Sequence, residues 1–208
     1  MHDYSIDKHP KEKILFFLSY LVILIFPFIT LTINKMSSTL SIYSNLKIMI
    51  PTLSIPIFTV FILAYLSLDK YLWKIKYFRK LFLVPDLNGI WEIKGLTVFR
   101  NGDKTNFEWN GQVIIKQSWS KITIILKTKT SKSESISASI ISKPGSGYLL
   151  VYSYENKPEI GVEELNYHIG LTSMEINLEC NSGSGEYFTN HSRQTSGKME
   201  WLKKDDQK

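Results

Sequence analysis

Two uncharged apolar runs near the start of the chain constrain it more than any other feature. Ile14 to Ile33 (ILFFLSYLVILIFPFITLTI) and Ile48 to Leu68 (IMIPTLSIPIFTVFILAYLSL) contain no Asp, Glu, Lys or Arg. At a rise of about 1.5 Å per residue, each helix is long enough to cross a hydrocarbon core about 30 Å thick. Pro27, Pro51 and Pro56 would break a water-exposed helix. In a membrane, neighbouring helices and Ser/Thr hydroxyls satisfy the freed carbonyls. A cleaved signal peptide is disfavoured, because the first run is too long, no small-residue cleavage site follows it, and a second run comes soon after. The sequence therefore predicts a transmembrane hairpin within residues 1–85, with spans at about 14–33 and 48–68.

The flanking charges orient that hairpin. The chain carries 25 Lys+Arg against 19 Asp+Glu, a net charge of +6, and the whole excess lies in residues 1–85. Lys8, Lys11 and Lys13 precede the first run, and Lys70, Lys74, Lys76, Arg79 and Lys80 follow the second. The link Asn34–Lys47 has only Lys35 and Lys47. By the positive-inside rule both ends face the cytoplasm, with the rest of the chain in the cytosol. Cations placed beside apolar runs address lipid headgroups rather than DNA or RNA. The stem at 69–85 begins with Asp69–Leu83 (DKYLWKIKYFRKLFL), which reads either as an amphipathic helix on the membrane surface or as a plain helical support. Tyr71, Trp73 and Tyr77 stand there as interface anchors. The single Cys180 makes no intrachain disulfide, and His2, His9, His168 and His191 lack metal-ligand spacing.

After Pro85 the apolar period changes to two. In Phe107–Trp119 (FEWNGQVIIKQSW) the alternate residues Phe107, Trp109, Val113, Ile115, Gln117 and Trp119 share one parity, and Glu108, Asn110, Gln112, Lys116 and Ser118 take the other. That alternation marks a strand with one buried face. Eight such runs are predicted, at about 89–99, 107–118, 120–129, 134–142, 147–155, 166–179, 184–190 and 195–204. Turn signals separate them at Asn101-Gly102, at Pro144–Gly147 and at Asn181–Gly185. With no long helix in residues 86–208, the predicted fold is a transmembrane hairpin followed by a compact eight-stranded antiparallel up-and-down β-barrel. Leu87-Asn88-Gly89-Ile90-Trp91 resembles the G-x-W opening of lipocalin-like barrels.

The residues offer no phosphate loop, nucleophile elbow or facing carboxylate pair, so no catalytic residues, cofactor or metal are assigned and an enzyme is not expected. Glu163 and Glu164 read as a solvated acidic turn. His168 shares parity with Thr172, Met174, Ile176 and Leu178 and reads as a hydrogen-bonded core histidine. The segment Gly185–Gly197 (GEYFTNHSRQTSG) is the most informative. It gathers Tyr187, Thr189, Asn190, Gln194, Thr195 and Arg193, and Arg100 is the other arginine after Pro85. Arg193 can present a bidentate fork to a phosphate, while Tyr187 or Trp91 stacks on a base. The bland alternative is a polar hairpin with a solvated arginine, which pattern alone favours.

The two spans, LNGIWEIKG, the pair Gln117 and Trp119, the alternating Ser131, Ser133, Ser135, Ser137 and Ser139, and GEYFTNHSRQTSGKMEW together resemble a bacterial anti-phage family. It is the two-transmembrane, β-barrel effector family of cyclic-oligonucleotide-based anti-phage signalling systems (CBASS). The most specific part is Tyr187, Phe188, Thr189, Arg193, Thr195 and Gly197. The resemblance implies that the cytosolic barrel binds a cyclic di- or oligonucleotide made by a CD-NTase. Subunits then form a homo-oligomer, and the hairpin disrupts the bacterial inner membrane, aborting infection. With that resemblance the nucleotide contacts are assigned to Trp91, Tyr187, Thr189, Arg193 and Thr195, and in second rank to Gln117, Trp119, Tyr152 and Asn190. The competing expectation is a membrane-tethered lipocalin-like barrel that carries an apolar ligand or serves as an envelope scaffold.

Overall fold

The computed structural model describes residues 1–43, 56–99, 106–158, 167–191 and 194–204. They form two compact units, one of Met1–His9 with Leu83–Lys208 and the other of Pro10–Phe82.

The helical unit opens with α1 (Lys11–Tyr43), a 33-residue helix with Pro27 inside it. At 1.5 Å per residue it is about 50 Å long. Lys11–Met36 is the one stretch among the described residues long and apolar enough to cross a membrane. Phe16, Phe17, Phe28 and Leu31 are exposed along it, as a lipid-facing helix requires. The helix continues past Ile33 through ten residues that the sequence assigns to the link. The second expected span begins at Ile48, and residues 44–55 lie outside the described part. What is described is α2 (Ile57–Lys70), a helix of 14 residues, so the two-span hairpin is not shown. Residues 69–83 are not one amphipathic helix either. A short 3-10 turn at Leu72–Lys74 ends at Ile75, which is extended (φ −64°, ψ 129°), before α3 (Lys76–Phe82) begins. Tyr71 and Tyr77 are exposed, but Trp73 is fully buried, which corrects its reading as an interface anchor.

The β unit contains the eight expected strands: β2 (Gly89–Phe99), β3 (Phe107–Gln117), β4 (Lys121–Lys127), β5 (Ser131–Lys143), β6 (Gly147–Pro158), β7 (His168–Ile176), β8 (Ser182–Thr189) and β9 (Thr195–Lys203). Each pairs antiparallel with its sequence neighbour, and β9 returns to β2. A ninth strand that the sequence reading does not contain, β1 (His2–Ile6), completes a closed ring. It fills a seam. β4 and β5 pair only from Ile125↔Glu134 to Lys127↔Lys132, and a bulge between Ser135 and Ser137 then turns β5 away. Into that gap β1 lays His2 and Asp3 against Ile122 and Lys121, and Tyr4, Ser5 and Ile6 parallel to Ala138, Ser139 and Ile140. The bulge also splits the serine repeat. Ser133 and Ser135 are buried, whereas the Ser137 and Ser139 hydroxyls meet Ser153 and Ser5 at exposed positions.

Inward side chains fill the ring unevenly. Near the ends of β2 and β9 that carry Gly89 and Lys203, the interior is apolar: Leu87, Trp91, Ile115, Ile122, Ile140, Leu150, Met174, Ile176 and Trp201 form one buried cluster. Of the buried polar residues, Thr97, Ser133, Asn156, His168, Thr172 and Thr195 collect towards the other end, whereas Gln117 and Ser120 lie at the apolar one.

Candidate functional site

The two ends of the ring differ in chemistry, and the candidate residues divide between them. At the apolar end Gln117 is a structural bracket. Its Oε1 accepts from the Leu87 backbone N–H (2.9 Å), and its Nε2 donates to the Tyr4 hydroxyl (2.9 Å) and the Pro85 carbonyl (3.0 Å). Trp91 is fully buried and donates its indole N–H to the Leu87 carbonyl at 3.0 Å. Trp119 is buried and meets the His9 ring edge-on, with centroids 5.5 Å apart. These three occupy the floor of the barrel, far along the strands from the Gly185–Gly197 segment.

At the opposite end the strands bring together Thr97, Trp109, Ser133, Tyr152, Tyr154, Asn156, His168, Thr172, Tyr187 and Thr195. Trp109 donates to Thr97 Oγ1 at 3.2 Å, and Thr97 Oγ1 lies 2.6 Å from the Tyr187 hydroxyl. Thr189 Oγ1 donates to the Thr195 carbonyl and accepts from the Thr195 N–H at 2.8 Å, clamping the β8–β9 turn. Asn190 donates its backbone N–H to the Ile169 carbonyl, and Gln194 follows in left-handed conformation, φ +50°. Arg193, Arg100, Asn101-Gly102, Glu163 and Glu164 lie outside the described residues. Phe107, placed by alternation on the buried face, is exposed where β3 begins at this end.

Glycines make room for the aromatic rings. Trp109 lies across from Gly95, Tyr154 from Gly170 and Tyr187 from Gly197 in the strand register. A Cβ added at any of the three glycines would collide with the ring opposite. Each ring thus lies against the wall on its partner strand, and the hydroxyl, amide and imidazole groups of Thr97, Thr172, Asn156 and His168 are buried at the same end. The buried polar residues include no Lys, Arg, Asp or Glu among the described residues. Burial pushes the Tyr152 phenol well above its ordinary range, outweighing the opposing effect of the Thr172 hydroxyl beside it, and keeps it neutral. Outside the wall Lys157 reaches Glu155 at 2.8 Å and holds that carboxyl below its usual range. The described residues contain no group of three or more His, Cys, Asp or Glu able to hold a metal.

Sequence reasoning passed over Thr97, Tyr154 and Asn156 as site residues and treated Trp109 only as core. Tyr154 and Asn156 share the parity of Tyr152, which was the available signal. The pairing of rings with glycines depends on register between strands and is absent from any single strand.

This is the construction of a small barrel with a packed apolar floor and a neutral, aromatic, hydrogen-bonding mouth. Residues 82–203 match the family described as "Cap15, cyclic dinucleotide receptor domain". The match covers more than half of the chain, and the chain belongs to that family, as its resemblance to the CBASS effectors implies. CD-NTase-associated protein 15 of Yersinia aleksiciae is 40% identical over 135 residues, which is 65% of this chain and 63% of that protein.

Proposed function

We propose that this chain is a cyclic-nucleotide-sensing effector of CBASS defence. A CD-NTase makes the messenger, the mouth of the β unit binds it, the subunits oligomerise, and the helical segment disrupts the bacterial inner membrane and aborts infection. The topology proposed is multi-pass, with both termini cytoplasmic and residues 86–208 as the sensing domain. The observation that carries the reading is the family match over residues 82–203, which spans every strand contributing to the polar mouth. The contacts proposed there are Tyr187, Thr189, Thr195, Asn190 and Arg193, with Tyr152 below them. Trp91, Gln117 and Trp119, engaged at the apolar floor, act on the ligand only through the scaffold.

The energetics suffice. Base–aromatic stacking contributes about 1–3 kcal/mol per base and a charge-assisted hydrogen bond about 1.5–3 kcal/mol. A few of each reach micromolar to nanomolar affinity once ordering costs are subtracted. An apolar carrier would need an open greasy interior, whereas Leu87, Trp91, Ile122, Ile140, Leu150 and Met174 already fill the floor.

The test is a thermal shift of the full chain in detergent against a panel of cyclic di- and trinucleotides. At least one should raise the melting temperature. Arg193→Ala should weaken that ligand about tenfold or more, the loss of one charge-assisted contact, with the unliganded melting temperature unchanged. A folded protein that responds to no member sinks the proposal.

A further inference from the structure

Asn156 is buried, 3% exposed, on the inward parity of β6. Its Oδ1 accepts a hydrogen bond from the Ser133 hydroxyl at 2.8 Å. With Oδ1 engaged there, Nδ2 is left with no acceptor among the described residues. Native structures retain few such donors, because a buried N–H without a partner is costly. In strand register Asn156 lies between Ser133 on β5 and His168 on β7, both buried.

The surroundings indicate which part of a ligand could approach it. At the depth of Asn156 a phosphate would lose its hydration without meeting a buried cation among the described residues, which is unfavourable. A nucleobase would set its faces against rings such as Tyr154 and its edge against hydroxyls and the amide.

Resting on the reading of this mouth as the cyclic dinucleotide site, we propose that Asn156 is a specificity-determining residue. A base of the messenger enters the barrel with the phosphates left outward, and Asn156 Nδ2 donates to an exocyclic carbonyl oxygen of that base. Because Nδ2 is buried, the base inserts below the rim. The amide favours keto bases, uracil or guanine, over adenine, whose exocyclic amine is itself a donor. An Asn that reads adenine uses Oδ1 and Nδ2 together, and here Ser133 already engages Oδ1.

The experiment is calorimetric titration of the full-length protein in detergent with cyclic di-UMP, cyclic di-GMP and cyclic di-AMP. The wild type should bind at least one keto ligand about tenfold more tightly than cyclic di-AMP, the worth of roughly one hydrogen bond. Asn156→Leu should remove about that factor from the keto ligand and change cyclic di-AMP by less than about threefold. Should Asn156→Leu fail to fold, Ser133→Ala, which releases the amide to turn, should narrow the same ratio. Equal affinity of the wild type for all three ligands, or a variant that weakens them all alike, overturns the assignment and leaves the receptor reading standing. A folded wild type that binds none of the three and no other cyclic nucleotide overturns both.

Discussion

At the scale of the residue, Gln117 ties together three stretches of chain that are distant in sequence. Gln117→Leu would leave the Leu87 N–H, the Pro85 carbonyl and one contact of the Tyr4 hydroxyl unpaired at the floor. The expected cost is about 2–4 kcal/mol, read as a lower urea midpoint with an unchanged slope. A variant as stable as the wild type would show that those groups find other partners. Gln117 also shows how far alternation can be read. Period two places Trp91, Gln117, Tyr152 and Tyr187 on the inward face, and all four are buried. It does not give height along the barrel, so residues at the floor and at the mouth look equivalent in sequence. Asn156 and Tyr154 were missed for the complementary reason: a side chain opposite a particular glycine or serine depends on the neighbouring strand's register.

At the scale of the element, the strands from β2 to β9 follow their sequence signals closely, because hydrophobic alternation and turn residues agree over each of them. Disagreement appears where tertiary context decides. β1 is five residues of mixed polarity, His2–Ile6, and is a strand only because β4 and β5 leave a gap for it. The serine repeat on β5 keeps its spacing through the bulge while the bulge reverses its facing, so the alternation reads as continuous when its burial is not. Deleting residues 2–6 should expose the β4 and β5 edges, remove Tyr4 and Ile6 from the core margin, and lower the melting temperature of the full chain. Faster hydrogen exchange should be confined at first to residues 121–122 and 138–140, the register partners of β1. Uniform protection in the shortened chain would show that the ring closes without β1.

At the scale of the whole molecule, buried Tyr152 links global stability to alkaline pH. Burial raises its pKa above the ordinary 10.0, so as pH climbs past that value the unfolded chain ionises first. The stabilisation is complete below about pH 10 and is lost as pH rises towards the folded-state value. Thermal melts at about pH 9 and about pH 11 should show a smaller alkaline decrease for Tyr152→Phe than for the wild type. Equal decreases would assign the loss to other groups.

The seam strand also imposes an order on biosynthesis. β1 leaves the ribosome ahead of α1, yet its first register partner, Lys121 for Asp3, comes only after the entire helical unit. Contacts so distant in sequence form late. Translation must therefore deliver the greasy helix while the barrel remains open on one side, and the last stitch is made with the oldest thread.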